Sequence, residues 1–365
     1  MVLLPFDAHN HVHLGSSSSP SSILDLLNDS LSGMAIMSTH PRDFPIVTDL
    51  RNNHNNNNNN NQQALLLDQG SIIPCMGVHP WFLHELTERD WEIISSPSDA
   101  DAIADANNEN DDDKEHDDSS QNKGAPMPRW VCELESLLQA DPSIAVGEIG
   151  LDNFHFNDPV TKELSTDMET QMLAMELQIG LAIQYQRPVS LHCVRAMGSM
   201  LEVWNKILLA KTDSKQQKQQ QQHKLPPRIY FHAFGGKAAT VIQLVRLLEP
   251  KQPKRPKKKK PRDEGENKTL VATKEEKPQS STTITGPKVY FGFAPIVNFQ
   301  SPKTLDVIRA VGLERLVLET DHEEAYKVPA TMKEGIRVIS DAFGITEEEL
   351  IQITNKNAKE LYMID

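Results

Sequence analysis

The stretch IAVGEIGLD, from Ile144 to Asp152, closes an apolar run with a glutamate and then an aspartate. Its first part, Ile144–Gly147, is short and almost continuously apolar, which is typical of a parallel strand buried on both faces. Burying the carboxylate of Glu148 at the end of such a strand is costly unless a partner or a metal ion compensates its charge. The stretch therefore predicts a buried strand that ends in a metal-binding carboxylate or in an ion pair to a Lys or Arg.

Seven further runs of the same kind lie elsewhere in the sequence. They are Val2–Phe6, Met34–Ser38, Ile72–Gly77, Pro188–Leu191, Arg228–Phe231, Lys288–Phe291 and Arg315–Leu318. Helical patterns lie between them, at Ile23–Leu31, Trp130–Gln139, Met168–Gln184, Met197–Leu209, Ala238–Leu248, Thr304–Ala310 and Met332–Phe343. Only the second crossover lacks a clear helix, and Ala64–Asp68 is the best candidate there. The alternation predicts an α/β fold, a (β/α)8 TIM barrel. A doubly wound sheet is the alternative, but no glycine-rich phosphate loop follows the first strand.

Four tracts of low complexity interrupt this alternation. Residues 51–63 are rich in asparagine, 95–127 are acidic, 211–225 carry a glutamine run, and 250–286 are rich in lysine. Such tracts bury too little apolar area to offset the entropy of ordering, so we predict four disordered surface loops. Without them the chain approaches the roughly 250 residues of one barrel. We therefore expect a single domain over residues 1–365.

The composition limits the setting in which the protein acts. A net charge of -14 provides no global basic field for nucleic acid. Three cysteines exclude a disulfide framework and indicate a reducing compartment. No apolar run approaches the roughly 20 residues of a membrane span. We expect a cytoplasmic or nuclear protein that is a monomer. The basic block 254–262 could be a nuclear localisation signal or a DNA-tethering patch, or simply a solvated loop.

Five of the eight predicted strands end in a histidine or a carboxylate. The residues are His9, His11, Glu148, His192, His232 and Asp321. Side chains two residues apart in an extended chain point to the same face, so His9 and His11 can reach one ion. A lone histidine after an apolar run is usually a core residue, but five independent coincidences are improbable. Because active sites form at the C-terminal ends of barrel strands, these side chains are expected to converge.

Six such side chains exceed the three protein ligands that are usual for one catalytic zinc. We therefore predict two divalent metal ions, with Glu148 as the bridging carboxylate. Two ions can clamp the attacking and leaving oxygens of a displacement reaction and activate water near neutral pH. The imidazole and carboxylate set suits Mg, Mn or Zn alike. Asp321 could be both a ligand and the proton acceptor for water, which makes Glu148 and Asp321 the predicted catalytic residues.

Motifs in a fixed order connect these positions. They are FDAHNH (6–11), GVHPW (77–81), GEIGLD (147–152), LHC (191–193), FHAFGG (231–236), ETD (319–321) and NAKEL (357–361). In these motifs the chain resembles the TatD family of metal-dependent hydrolases, a branch of the amidohydrolase superfamily. The resemblance reaches from the first strand to the last helix, and GEIGLD is its most specific part.

The resemblance implies a TIM barrel, divalent metal ions and deoxyribonuclease activity, as a 3′–5′ exonuclease or an endonuclease. The six residues above match the ligand positions of the family. His79 matches a family histidine that is expected to contact the substrate phosphate. Arg195 is displaced by one residue from the position of a family arginine and is the second expected substrate-binding residue.

One departure leaves the substrate open. Bacterial members commonly continue from the last aspartate into a Pro-Tyr-Leu-like segment, whereas this chain reads HEEAY at 322–326, and its carboxylates would repel phosphate. The variant resembles a eukaryotic subgroup that includes a Cut9-interacting protein, which adds a protein partner to the expectations. Three functions follow: cleavage of weakly bound DNA, hydrolysis of another ester or amide, and a scaffold that retains the barrel.

Overall fold

The computed structural model describes residues 3–60, 71–94, 126–158, 160–210, 225–249 and 286–364. Eight strands form one sheet in which neighbours in sequence are neighbours in space. The strands are β1 (Phe6–Asn10), β2 (Gly33–Met37), β3 (Ser71–Met76), β4 (Ala145–Asp152), β5 (Val189–Val194), β6 (Arg228–Phe231), β7 (Lys288–Gly292) and β8 (Leu316–Val317). All seven pairings are parallel.

Main-chain hydrogen bonds join the first strand to the last. The amide of Ala8 donates to the Leu318 carbonyl at 2.8 Å, and the amide of Asp321 donates to the His9 carbonyl at 3.0 Å. The sheet therefore curls until its edges meet, which removes exposed strand edges. The predicted α/β TIM barrel is confirmed.

Among the residues that the structure describes, ten α-helices accompany the strands of this barrel. They are α1 (Pro20–Asp29), α2 (Phe44–Asn60), α3 (Arg129–Ala140), α4 (Met168–Gln184), α5 (Met197–Leu209), α6 (Ala238–Leu248), α7 (Pro295–Asn298), α8 (Thr304–Val311), α9 (Val328–Phe343) and α10 (Glu347–Tyr362). The periodicity predicted the bounds of α4, α5 and α6 correctly. It missed α10 as an element, although this helix begins with a capping box of Thr346 and Glu349. Within the described ranges, no helix has both the length and the apolar character that a membrane span requires.

The first strand lies four residues further along the chain than predicted. The prediction placed it at Val2–Phe6, whereas β1 runs through Phe6–Asn10 and includes Asp7 and His9, both fully buried. A search for apolar runs misses a strand whose end carries buried polar side chains. The fourth strand shows the same error, because β4 continues through Glu148 to Asp152.

The prediction of a loop at residues 51–63 was wrong for its first ten residues, because α2 continues to Asn60. Phe44, Val47 and Leu50 are buried and fix one face of this helix. Once nucleated, a helix adds further residues at small cost, even poor helix formers such as asparagine. This helix fills the second crossover, for which Ala64–Asp68 had been the candidate; that segment lies outside the described residues.

The other three predicted loops fall almost entirely outside the described residues, and so does the basic block 254–262. At the second tract, Ile93–Ile94 and Met127–Pro128 pair as a short antiparallel ribbon. Met127, which the prediction had placed in the loop, thus belongs to a strand. The ribbon brings the two ends of the insertion together. The alternation of strands and helices then resumes with α3.

Candidate metal centre

The structure brings the six predicted ligands together at the C-terminal end of the barrel. His9 lies in β1 with His11 just beyond it, Glu148 lies in β4, and His192 lies in β5. His232 follows β6 by one residue, and Asp321 follows β8 after a short turn. The Nε2 atoms of His9 and His11 are 3.2 Å apart, as expected for side chains two residues apart in an extended chain.

Glu148 lies at the centre of this group, and its side chain is 2% exposed. Its Oε2 atom is 3.3 Å from His9 Nε2 and 3.0 Å from His11 Nε2. Its Oε1 atom is 2.8 Å from His192 Nδ1 and 2.5 Å from His232 Nε2. The two carboxylate oxygens therefore face different predicted ligands, His9 and His11 on one side and His192 and His232 on the other, which suits a carboxylate shared between two sites.

Asp321 lies on the side of the first pair. Its Oδ1 atom is 3.6 Å from His9 Nε2 and 3.7 Å from His11 Nε2. Its backbone has a positive φ of 57°, an uncommon conformation for a residue with a side chain, and one that recurs at functional sites. The six residues thus divide into His9, His11 and Asp321 on one side of Glu148, and His192 and His232 on the other.

The donor set suits a divalent cation. Burial alone would raise the pKa of Glu148, but the neighbouring His232 and a hydrogen bond from His11 hold that pKa well below its usual range. Burial and the nearby His232 hold the pKa of His9 well below its usual range, so this ring is neutral. Glu148 and His9 thus have the protonation states that metal ligands need. Within the described chain, three overlapping groups place their ligand atoms within 4.8 Å of one another: His9, Glu148 and His232; His9, His11 and Asp321; and His79, Glu148 and His192.

Three of the histidines are oriented by their second ring nitrogen, and in His9 this atom, Nδ1, lies 3.1 Å from Ser190 Oγ. His11 Nδ1 lies 3.0 Å from the Met37 carbonyl, to which it can only donate. His192 Nε2 lies 2.9 Å from Asp152 Oδ2, so the carboxylate accepts its proton. Burial alone would lower the pKa of these two rings, but hydrogen bonds to Glu148 and, for His192, to Asp152 raise both pKa values to about 9. A divalent cation would displace the proton on the nitrogen that faces Glu148, and that nitrogen would become the ligand atom. The sequence motifs did not indicate Met37, and they gave Asp152 only as a motif residue.

His79 differs from these histidines in its hydrogen bonding. Its Nε2 atom is 3.3 Å from Glu148 Oε1, but its Nδ1 accepts a hydrogen bond from the Trp81 amide at 3.2 Å. Burial lowers the pKa of His79 to about 4, so the ring is neutral and its single proton is on Nε2. His79 therefore offers a hydrogen-bond donor to the site.

Arg195, the other predicted substrate-binding residue, is not part of this group. It is exposed, and its guanidinium carbon lies 3.7 Å from the centre of the Phe154 ring. Its φ of 51° turns the chain outward directly after β5. The predicted contact between Arg195 and a substrate phosphate stays a prediction. Any such phosphate would lie away from the cluster of histidines.

Two buried carboxylates support the centre and were not predicted. Asp152 Oδ2 accepts hydrogen bonds from both His192 and Trp81 Nε1, the latter at 2.7 Å. Glu319 accepts from the Tyr230 hydroxyl and, at 2.7 Å, from the Ala233 amide, which follows His232 directly. Burial raises the pKa of Glu319 to about 8. Both residues lie in the motifs quoted above, but periodicity gave no sign of what they contact.

An open cavity of about 240 Å³ leads to the metal centre. Its walls include Trp81 and Phe82 on one side and Leu14 and Glu323 on another. Trp81 is 38% exposed and lies parallel to the His155 ring, with ring centres 4.8 Å apart. A small polar group can therefore reach the histidines and carboxylates from solvent, past a flat aromatic surface.

Comparisons with known proteins agree with this geometry. The family described as TatD related DNase matches residues 6–250 and 259–363. The Cut9-interacting protein scn1 of Schizosaccharomyces pombe is 22% identical to this chain, over 97% of each protein.

Two solved structures share the fold. YJJV, a TatD homolog from Escherichia coli K12, gives a TM-score of 0.58 at 18% identity and covers all of both chains. An uncharacterized amidohydrolase from Saccharomyces cerevisiae gives a TM-score of 0.58 at 14% identity, over 99% of this chain and all of the other. The family match spans nearly the whole barrel, including every strand that contributes to the centre, and the chain therefore belongs to the TatD-related DNase family of hydrolases.

Proposed function

We propose that this chain is a two-metal phosphodiesterase that hydrolyses DNA. The observation that carries the proposal is the position of Glu148, whose Oε2 lies beside His9 and His11 and whose Oε1 lies beside His192 and His232. One divalent cation, Mg, Mn or Zn, would be held by His9, His11, Asp321 and Glu148, and a second by His192, His232 and Glu148. When bound, such a pair of cations activates water and neutralises charge on the phosphate.

Asp321 is suited to accept the proton of the attacking water. Its side chain is 17% exposed, compared with 2% for Glu148, so it lies closer to the open cavity. Its Oδ1 faces His9 and His11, and its second oxygen would accept the proton in the proposed reaction. Burial raises the pKa of Asp321, which makes its carboxylate a stronger base than a free aspartate.

His79 and Trp81 are suited to position the substrate. The Nε2 proton of His79 can be donated to a non-bridging phosphate oxygen, the place where negative charge accumulates during the reaction. The exposed face of Trp81 can stack against a base, which is a common way to hold a single strand. Arg195 would contact a phosphate further along the strand. The net charge of -14 and the carboxylate of Glu323 lead us to expect weak binding of DNA.

The direct test is cleavage of end-labelled DNA by purified protein with Mg, Mn or Zn. We expect cleavage that EDTA abolishes and that Glu148→Gln removes, while the exposed Glu202→Gln in α5 serves as a matched control with full activity. If no metal supports cleavage, the proposal is wrong. Turnover of a lactone or an amide in the same assay would then favour the second candidate, hydrolysis of another ester or amide.

A third candidate is a protein-binding scaffold, which the relative named as Cut9-interacting favours. Cells that carry Glu148→Gln in place of the normal chain distinguish the two roles, because this variant keeps the surface and loses the central carboxylate. Full cellular function of that variant would support the scaffold, and loss of function would support the enzyme.

A further inference from the structure

A second and larger cavity, of about 1020 Å³, lies beside the metal centre. The segments after β5, β6 and β7 form its walls. Cys193 and Ala233 line it, and they follow the ligand candidates His192 and His232 directly. We call this cavity the basic groove, and among the described residues its lining shares none with the cavity over the metal centre.

The groove is positively charged in a chain whose net charge is negative. Arg195, Lys237 and Lys303 line it, and all three are exposed. Within the described ranges, none of the three makes an ion pair; Arg195 contacts the Phe154 ring. Asp306 is the acidic residue of the described lining, and its Oδ1 lies 3.3 Å from Arg309 Nη1. Three cations without acidic partners therefore surround one open space.

Three helices also begin at this groove. The first residues of α5, α6 and α8, which are Met197, Ala238 and Thr304, line it. Among the described residues, no N-cap side chain accepts a hydrogen bond from the first backbone amides of these helices. A helix N-terminus carries a partial positive charge and unsatisfied N–H groups, which attract anions. The backbone thus adds to the charge of the side chains.

A buried polar atom in the groove points to a ligand. Asn298 is 7% exposed and lines the groove. Its Nδ2 donates to the carbonyls of Ala233 at 3.1 Å and Phe234 at 3.4 Å, which fixes the orientation of the amide. Its Oδ1 is buried and has no hydrogen-bond donor among the described residues. Because such an acceptor is costly to leave unpaired, the groove suits a ligand that carries an N–H or O–H donor as well as an anion.

We propose that the basic groove binds the nucleotide next to the scissile phosphodiester of a nucleic-acid strand. Lys237 and Lys303, with the first amides of α6 and α8, hold its phosphate. A base amino group or a sugar hydroxyl donates to Asn298 Oδ1, above an apolar surface that includes the half-exposed Val297. This assignment rests on the proposed phosphodiesterase function and adds the direction in which the strand leaves the metal centre.

The first test measures binding without catalysis. A labelled single-stranded oligonucleotide of about 12 nucleotides is titrated with the metal-free protein, and fluorescence anisotropy gives the Kd. We expect Lys237→Gln/Lys303→Gln to raise the Kd about tenfold and to lower the slope of log Kd against log salt by about 1.4, which is about 0.7 for each lost phosphate contact. Lys333→Gln/Lys356→Gln is the matched control, because these exposed lysines line neither cavity and the net charge changes equally. Equal Kd values for the two double variants would overturn the proposal.

The second test separates the groove from the metal centre. Bis(p-nitrophenyl) phosphate has one phosphate and reaches only the centre, so the Lys237→Gln/Lys303→Gln variant should hydrolyse it at the wild-type rate while losing about tenfold in kcat/KM on the oligonucleotide. An equal loss on both substrates would overturn the groove. An oligonucleotide with uncharged methylphosphonate linkages should bind wild type and variant equally, and tight binding to wild type alone would overturn the phosphate assignment. If wild type hydrolyses neither substrate, the proposed function fails, and the anisotropy comparison still decides the groove.

Discussion

Two sides of the same barrel end carry opposite charge. On the acidic side, Glu323 lines the cavity over the metal centre, and the neighbouring Glu324 accepts hydrogen bonds from Ser16 and Ser17, both at 3.2 Å. On the other side is the basic groove, with Arg195, Lys237 and Lys303. A net charge of -14 describes neither side, so the chain can repel a polyanion over most of its surface and still bind one locally. A bound nucleic-acid strand should therefore extend from the metal centre across the ends of β5 to β7, away from β8 and β1.

The largest expected effect is on the catalytic rate, and it distinguishes Asp321, the proposed base, from the neighbouring carboxylate of Glu323. Asp321→Asn removes the proposed base without changing the shape of the side chain, and we expect kcat to fall about 1,000-fold. The loss should be equal for DNA and for bis(p-nitrophenyl) phosphate, because both need the same proton transfer. Glu323→Gln is the control nearby. A similar loss of kcat in Glu323→Gln would break the distinction, since it would make the whole acidic side catalytic.

A smaller effect is expected from Asp152, which orients His192 on the side of Glu148 nearest the groove. Asp152→Asn weakens this hydrogen bond, and we expect metal affinity to fall about 10- to 100-fold. Calorimetric titration of the metal-free protein with Mn²⁺ measures this change in affinity. Glu202→Gln removes a carboxylate of the outer surface and should leave the affinity unchanged. An unchanged affinity in Asp152→Asn would show that His192 needs no such support.

The aromatic wall should contribute about tenfold to DNA binding. Trp81→Leu removes the stacking surface, which is worth about 1–3 kcal/mol per base in single-strand binding, and KM for DNA should rise accordingly. Trp81→Phe keeps a flat ring but loses the hydrogen bond to Asp152, so it should affect metal affinity more than KM. If both variants raise KM equally, Trp81 acts through Asp152 and not by stacking.

The smallest expected effect comes from Glu323, whose charge should repel the phosphates of DNA. Glu323→Gln removes one exposed charge from the cavity mouth, and we expect KM for DNA to fall about two- to threefold at low salt, since exposed charge interactions contribute up to about 1 kcal/mol. The gain should vanish at high salt because counterions screen it. A rise in KM at low salt would mean that Glu323 holds the substrate, and the comparison of the two sides would fail.

Much of the fold could be predicted because buried strands and buried helix faces consist mainly of apolar residues. The barrel strands are apolar runs, and helices such as α5 and α6 place their apolar residues at helical spacing. The ends of β1 and β4 could not be predicted from apolarity, since His9, Glu148 and Asp152 are buried polar residues. The helix of the second crossover was mispredicted for a related reason. Three apolar side chains fix the start of α2, and the helix then extends into an asparagine tract that has no helical pattern.

The metal centre and the groove differ in what the sequence could predict. The six ligand candidates each lie in a strand or within four residues beyond its C-terminal end. Parallel strands bring these ends to one face, so topology alone predicts that the candidates converge. The groove combines Arg195, Lys237, Asn298 and Lys303 from three separate loops, and no spacing or period connects them. The support that Asp152 and Glu319 give to the histidines is a matter of side-chain geometry, which motif positions do not specify.

If Glu148 joins two cation sites, metal stoichiometry should show it. The metal-free protein and its Glu148→Gln variant are dialysed against Mn²⁺, and bound metal per chain is measured together with the electron paramagnetic resonance spectrum. We expect two Mn²⁺ ions per wild-type chain with a spin-coupled spectrum, as for ions roughly 3.5–4 Å apart, and no coupled pair in the variant. A single ion per wild-type chain, or two ions that the variant binds and couples equally well, would contradict it.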